Sequence, residues 1–159
     1  MSLENYEKAV QIIKNTNSKS SFIGVRTDEL ISKAEEVISL NFTGTYRDFL
    51  KNYGAGNFGS EEIYGIIDDD FEDSSVPDAI WYTLSERKEI NMPRNLLVIY
   101  ATGDGELYCL DFNRINGEKE PAVVSFFPGF DLNIQKYEII AKDFGEFLLQ
   151  RVTAELEME

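Results

Sequence analysis

The sequence contains no histidine and only one cysteine among its 159 residues. Without histidine the chain lacks the commonest general base and the commonest transition-metal ligand, and no Ser-His or Cys-His catalytic pair can form. Cys109 has no second cysteine for an internal disulfide, which is typical of cytoplasmic proteins. The N-terminal residues lack the basic and apolar regions of a secretory signal. No apolar run approaches the roughly 20 residues that span a bilayer. We therefore expect a cytoplasmic protein with no membrane contact, and we predict neither a cofactor nor a transition-metal site.

Basic residues are also scarce. Lys and Arg number 15 against 29 Asp and Glu, so the formal net charge is −14. A chain this acidic is repelled by phosphate backbones and anionic membranes, so we expect no direct nucleic-acid binding. The same charge suits a basic protein partner. A hydrophobic content of 43% is typical of a folded protein, and the length suits one domain with its own core.

Residues 96–112 are the most informative stretch for the fold. They read as two apolar strands joined by Thr102-Gly103-Asp104-Gly105, where Asp-Gly is a strong hairpin signal. Both faces of the hairpin are largely apolar, which predicts a central position in a sheet covered on both sides. Asp111 is the exception. We expect it to accept hydrogen bonds from a neighbouring loop or an arginine.

Helical patterns surround this hairpin. Ser2 is a predicted cap for a first helix reaching about Lys14, Thr27 for a second, and Thr45 opens a third. A fourth is predicted over residues 76–88, and Asp143 caps the last, with fraying predicted from residue 154 to residue 159. Further strands are predicted at residues 63–67 and 122–127. Strands joined by short turns pair antiparallel, so the predicted class is α+β, in a single domain over residues 1–159.

Three patterns raise the question of catalysis or ligand binding. Residues 54–59 match G-x-G-x-x-G, but a predicted helix precedes the glycines, the reverse of a dinucleotide site, so Gly54 is interpreted as the end of a helix. The acidic run 68–73 departs from an EF-hand loop, although an irregular calcium site stays open. Asp104, Glu106 and Asp111 leave open an enzyme that acts through carboxylates. Cys109 lies in an apolar strand and is predicted to be core.

The feature least like ordinary packing is a long acidic stretch. No Lys or Arg occurs between Lys51 and Arg87, while that interval holds nine acidic residues. One interpretation is a solubilising loop. The other is a docking surface for a basic protein, in which Asp and Glu can mimic the phosphates bound by a nuclease. Tight binding would also need apolar anchors, for which Phe58, Tyr64 and Phe71 are candidates.

Four motifs, in this order and spacing, resemble one protein family. They are Tyr46-x-x-Phe49-Leu50-x-x-Tyr53-Gly54-x-Gly56, Ile63-Tyr64-Gly65-Ile66, Gly103-Asp104-Gly105-Glu106-x-Tyr108-x-Leu110-Asp111 and Pro121-Ala122-Val123-Val124. Together they resemble the SUKH superfamily in its Smi/Knr-like branch, over about residues 30–149. Leu40-Asn41 departs from the family pattern, which often has Leu-Pro before the third helix.

The resemblance implies an α+β fold with a mixed, mostly antiparallel, curved sheet flanked by helices. It also implies a non-enzymatic immunity protein, or antitoxin, that binds the C-terminal nuclease domain of a cognate toxin. The implied partner is an LXG-type toxin with a ribonuclease domain. The alternative is an intracellular scaffold or signalling-regulator domain. For a toxin partner, the acidic stretch predicts the contact residues Glu61, Glu62, Asp68, Asp69, Asp70, Glu72 and Asp73.

Overall fold

The computed structural model describes residues 1–158 and has an α+β fold. The helices are α1 (Ser2–Asn15), α2 (Asp28–Ile38), α3 (Gly44–Asn52), α4 (Ala79–Ile90) and α5 (Phe144–Glu157). The strands are β1 (Ser20–Phe22), β2 (Gly56–Phe58), β3 (Glu61–Ile63), β4 (Leu96–Ala101), β5 (Leu107–Ile115), β6 (Pro121–Phe126) and β7 (Ile139–Ala141). The predicted class is confirmed.

The strands form two antiparallel sheets rather than one. Strands β1, β2 and β3 make the smaller sheet, and β4, β5, β6 and β7 make the larger one in sequence order. The backbone N–H of Tyr64, just after β3, donates to the carbonyl of Ile99 in β4 at 2.9 Å, which connects the two sheets. The mostly antiparallel pairing predicted for the chain is confirmed.

The hairpin forms at the residues where the sequence predicts it. Strands β4 and β5 pair from Leu96 opposite Asp111 to Ala101 opposite Leu107. Cys109 and Leu110 point to opposite faces of β5 and are both fully buried. Helix α4 packs on β4, and α5 packs on β6 and β7. Both faces of the hairpin are therefore covered, as predicted. Its predicted central position was wrong, because β4 lies at one end of the strand order of the larger sheet.

Two predicted helix caps are confirmed. The Thr27 hydroxyl accepts the backbone N–H of Leu30 at 3.1 Å, and the Asp143 carboxylate accepts that of Glu146 at 2.9 Å. Each bond satisfies an N–H group that the first turn of a helix leaves without an internal partner.

Three other predicted helix starts were wrong. Ser2 lies within α1, and Thr45 lies inside α3, whose cap position is Thr43. The Thr45 hydroxyl instead donates to a carboxylate oxygen of Glu120 at 2.6 Å, a partner from a distant part of the chain. Helix α4 starts at Ala79, after Asp78, rather than at residue 76.

The C-terminal segment is ordered further than the sequence suggests. The prediction that the chain frays from residue 154 was wrong as far as Glu157, where α5 ends. Glu159 lies outside the described residues. Glu155 is only 7% exposed. Its carboxylate accepts the backbone N–H of Ser60 at 2.9 Å, the Ser60 hydroxyl at 2.6 Å and the Lys19 ammonium at 3.1 Å. These bonds fasten the end of α5 to the smaller sheet.

This cluster predicts an acid-dependent loss of stability. Hydrogen bonds from Ser60, together with Lys19, lower the pKa of Glu155 from 4.5 to about 2. A lowered pKa stabilises the fold at pH values above 4.5, and that stabilisation is lost as the pH falls towards 2. We expect Glu155→Gln to lower the melting temperature by several degrees at pH 7. The difference from the parent protein should shrink as the pH falls through that interval.

Thermal unfolding followed by circular dichroism between pH 2 and pH 7 measures this effect. The control is Glu157→Gln, because Glu157 is exposed on the same helix. Equal melting temperatures for the Glu155 variant and the control at pH 7 would contradict the stabilising role of the cluster.

Candidate partner-binding surface

The acidic stretch forms a loop with a closed base, which we call the acidic loop and define as residues 66–77. Just before it, the N–H of Gly65 donates to the carbonyl of Pro77 at 2.9 Å. Just after it, the N–H of Ala79 donates to the carbonyl of Gly65 at 2.8 Å. A Cβ atom on Gly65 would lie 1.8 Å from the carbonyl oxygen of Gly54, so no other residue fits there. The two ends of the loop are therefore held side by side.

The loop also has an internal anchor. Phe71, in its middle, is 5% exposed and packs in the main core. The carboxylates of Asp68 and Asp70 accept the backbone N–H groups of Asp70 and Asp73, each at 3.0 Å. Such turns hold a loop in one local conformation. The remaining acidic side chains are therefore presented from a backbone with a defined shape.

The structure divides the seven predicted contact residues into three groups. Five are exposed on the acidic loop, namely Asp68, Asp69, Asp70, Glu72 and Asp73. Glu62 is half-buried in β3, and burial raises the pKa of its carboxyl. Glu61 is 7% exposed, accepts a hydrogen bond from the Tyr100 hydroxyl and lies 3.8 Å from the Arg151 guanidinium. Because internal partners hold Glu61, we leave it out of the candidate surface.

Tertiary structure supplies some positive charge that the local sequence lacks. The Lys33 ammonium on α2 lies 3.8 Å from a carboxylate oxygen of Asp69. Lys88 on α4 lines the same hollow as Glu72. Exposed pairs of this kind contribute only about 0–1 kcal/mol. The acidic loop thus keeps an excess of negative charge at the surface.

The predicted aromatic anchors were wrong. Phe58, Tyr64 and Phe71 are all at least 95% buried, so they belong to the core rather than to a contact surface. The apolar side chains that border the acidic loop are instead Val37, Trp81 and Leu84. A helical pattern of apolar residues would place all three on the buried faces of their helices. In α4 a sequence signal was present, because apolar residues are consecutive there and a helix cannot turn all of them towards the core.

The comparison with known protein families adds an independent finding. The family model SUKH_5, described as SMI1-KNR4 cell-wall, matches the chain over residues 3–153. This protein belongs to the SUKH superfamily. The family resemblance stated from the four motifs is thereby confirmed. SUKH domains are generally associated with immunity proteins of toxin systems, and these are generally non-enzymatic.

The three carboxylates near the hairpin turn, Asp104, Glu106 and Asp111, have structural partners. The Asp111 carboxylate accepts the Asn95 amide at 2.7 Å and the Asn113 backbone N–H at 2.9 Å, and it lies 3.4 Å from the Arg114 guanidinium. The predicted role of Asp111 as an acceptor for a loop and an arginine is confirmed. Asp104 accepts the Thr102 hydroxyl within its turn.

The remaining motifs are also explained by structure. The Ser125 hydroxyl donates to Glu106 at 2.5 Å. Cys109 is fully buried, as predicted, and burial raises the pKa of its thiol. Gly54 follows the end of α3 with φ +72°, as expected for a residue that terminates a helix. Strand β2 begins at Gly56, within the glycine motif, so no helix N-terminus meets a phosphate there.

Two further findings concern metals and membranes. Across residues 1–158, no group of three or more Asp, Glu or Cys side chains is arranged to hold a metal ion. In the same part of the chain, no helix is both long and apolar enough to cross a bilayer.

The burial of Phe71 makes a stability prediction. Removing its ring should leave a cavity under the acidic loop and destabilise the protein by about 3 kcal/mol, within the range for buried Phe→Ala changes. We expect Phe71→Ala to lower the midpoint of urea unfolding and to speed proteolytic cleavage within residues 66–77. Phe71→Leu, which retains most of the apolar volume, is the matched control and should lose less.

Urea unfolding and limited proteolysis with fragment mass analysis measure the two effects. Unchanged unfolding in Phe71→Ala would show that the ring does not anchor the loop.

Proposed function

We propose that this SUKH protein is an immunity protein that binds the C-terminal nuclease domain of a cognate toxin and neutralises it. The observation that carries the proposal is the acidic loop, which presents five exposed carboxylates from an anchored backbone on a SUKH fold. The nuclease domain of an LXG-type toxin with ribonuclease activity is the proposed partner. As a whole the chain resembles the Bacillus immunity protein YobK, and on this proposal its partner is a YobL-like toxin. The protein acts in the cytoplasm, where the toxin would meet cellular RNA.

The chemistry of a ribonuclease explains why an acidic loop suits it. A ribonuclease must attract a polyanion, so its RNA-binding surface is basic. Asp68, Asp69, Asp70, Glu72 and Asp73 offer a competing set of negative charges in place of phosphates. Bound there, the immunity protein occludes the RNA site without any chemical reaction. Electrostatic attraction between such surfaces mainly increases the association rate.

The anchored loop favours tight binding for a second reason. Ordering a flexible loop on binding costs conformational entropy, and a loop that is already ordered avoids most of that cost. The closed base at Gly65 and the buried Phe71 ring hold this loop before any partner arrives.

The proposal predicts stoichiometric protection of RNA. The nuclease domain encoded beside this gene should degrade RNA alone and should lose its activity when mixed with an equimolar amount of this protein. Protection should weaken as salt rises from about 50 mM to about 500 mM, because salt screens the charges of both surfaces. RNA cleavage on a denaturing gel, with nuclease alone at each salt concentration as the reference, measures the effect. No protection and no complex at low salt would overturn the proposal for that pair.

Charge reversal within the loop should slow association. Asp69 and Glu72 are the best positions, since Asp68 and Asp70 also hold the loop's own backbone. We expect Asp69→Lys with Glu72→Lys to reduce the association rate constant about ten-fold at low salt, with a smaller change in dissociation. Biolayer interferometry with the immobilised nuclease domain measures both rates.

A matched control separates local charge from total charge. Glu7→Lys with Glu157→Lys changes the net charge equally at exposed positions on α1 and α5. If this control slows association as much as the loop variant does, the acidic loop is not the docking surface.

A scaffold or signalling-regulator domain is the second candidate. The matching family is described as SMI1-KNR4 cell-wall, a description that names no toxin partner. A scaffold differs from the immunity role in one respect that is easily measured. Expression of an immunity protein rescues cells from the toxin, whereas a scaffold has several moderate-affinity partners and gives no rescue.

A further inference from the structure

A groove with an apolar floor and an acidic wall runs along the acidic loop. Two adjoining hollows share Phe71, Glu72 and Leu84 in their linings. One has a volume of about 420 Å³ and extends to Val37 on α2. The other has a volume of about 490 Å³ and extends to Trp81 on α4. We call this continuous feature the loop groove.

The floor of the loop groove is apolar. Val37 is 46% exposed, and Leu84 and Trp81 are half-buried. Below them the Phe71 ring continues into the core. Apolar side chains left in a concave, partly open position lose contact with water when a partner's apolar side chain fills the space.

One wall of the loop groove is acidic. Asp69, Asp70 and Glu72 line the hollow that reaches α2. At the opposite end, on α4, Lys88 contributes to the lining. Lys33 on α2 pairs with Asp69, so Asp70 and Glu72 supply the net negative charge of this wall.

This combination selects among possible occupants. RNA would meet carboxylates and a chain of net charge −14. A second copy of this chain would bring the same negative charge to an acidic wall. A cationic polypeptide is not repelled by the acidic wall, and its apolar side chains can pack against the apolar floor.

We propose that the loop groove receives a basic amphipathic segment of the partner nuclease. A large apolar side chain of that segment rests against Val37, Leu84 and Trp81, and its Lys or Arg side chains face Asp69 and Asp70. This inference rests on the proposed function, and it adds the apolar anchor that charge alone cannot supply. The acidic loop then speeds encounter, while the groove slows dissociation.

A tryptophan that lines the groove can report on its occupancy. Trp81 is the only tryptophan in the chain. Incorporation of 5-fluorotryptophan therefore yields a single fluorine resonance from the groove, and unlabelled nuclease domain adds none. We expect this resonance to shift or broaden when the nuclease domain encoded beside this gene is added, with saturation at one equivalent.

A substitution in the floor gives the second measurement. Val37→Gln keeps a good helix former at an exposed position of α2 and removes the apolar contact. We expect the dissociation constant to rise about five-fold, mainly through faster dissociation, as befits partial burial of one aliphatic side chain. The control is Ile134→Gln, since Ile134 is 61% exposed on the loop between β6 and β7, away from the groove.

The outcomes separate this inference from the proposed function. A fluorine response together with weaker binding of Val37→Gln, and unchanged binding of Ile134→Gln, supports the groove. A complex measured by calorimetry without a response at Trp81, or without an effect of Val37→Gln, overturns the groove and leaves the immunity role standing. No complex at low salt overturns both. A fluorine change that depends on the protein's own concentration, without nuclease, identifies a second copy as the occupant and overturns the proposal.

Discussion

The segment from Tyr64 to Ile66 connects the larger sheet to the end of α3 through backbone hydrogen bonds. The N–H of Tyr64 donates to Ile99 of the larger sheet at 2.9 Å, and the N–H of Ile66 donates to Gly54 after α3 at 3.1 Å. Its carbonyl groups are used as well, since the Tyr46 hydroxyl donates to Tyr64 at 3.0 Å. Buried backbone groups are costly without partners, so a segment that crosses the core must find them in every neighbouring element. The close approach of Gly54 and Gly65 is what permits that arrangement.

The same crossing sets the start of α4 and the base of the acidic loop. Asp78 is fully buried beside Gly65, and its carboxylate accepts the N–H groups of Ile80 at 2.9 Å and Trp81 at 3.1 Å. Burial raises the pKa of Asp78, while these hydrogen bonds favour its ionised form. Asp78 therefore has a structural role in the acidic stretch, whereas the exposed carboxylates of the acidic loop can contact a partner. One constraint therefore supports both the core and the surface that we propose for binding.

Sequence reasoning was most successful where local chemistry decides the outcome. The Asp-Gly turn at residues 104–105, the caps at Thr27 and Asp143 and the helix end at Gly54 all depend on a few adjacent residues. It was least successful for strands of three residues such as β1, β2 and β7, which are too short to show a period. Their existence depends on partners, because β1 forms only where β2 lies beside it.

At the candidate surface, the sign and density of the charge follow from the sequence, since nine acidic residues without a local cation are visible in any conformation. The hairpin and the family motifs can also be identified without coordinates. Folding was needed to show that Glu61 turns inward to Tyr100 and Arg151, that Phe71 anchors the loop and that Val37 and Trp81 line a groove. The difference arises because burial depends on which elements meet. Residues distant in the chain approach each other only after the core has packed, and no local pattern records which face of a helix that packing leaves in water.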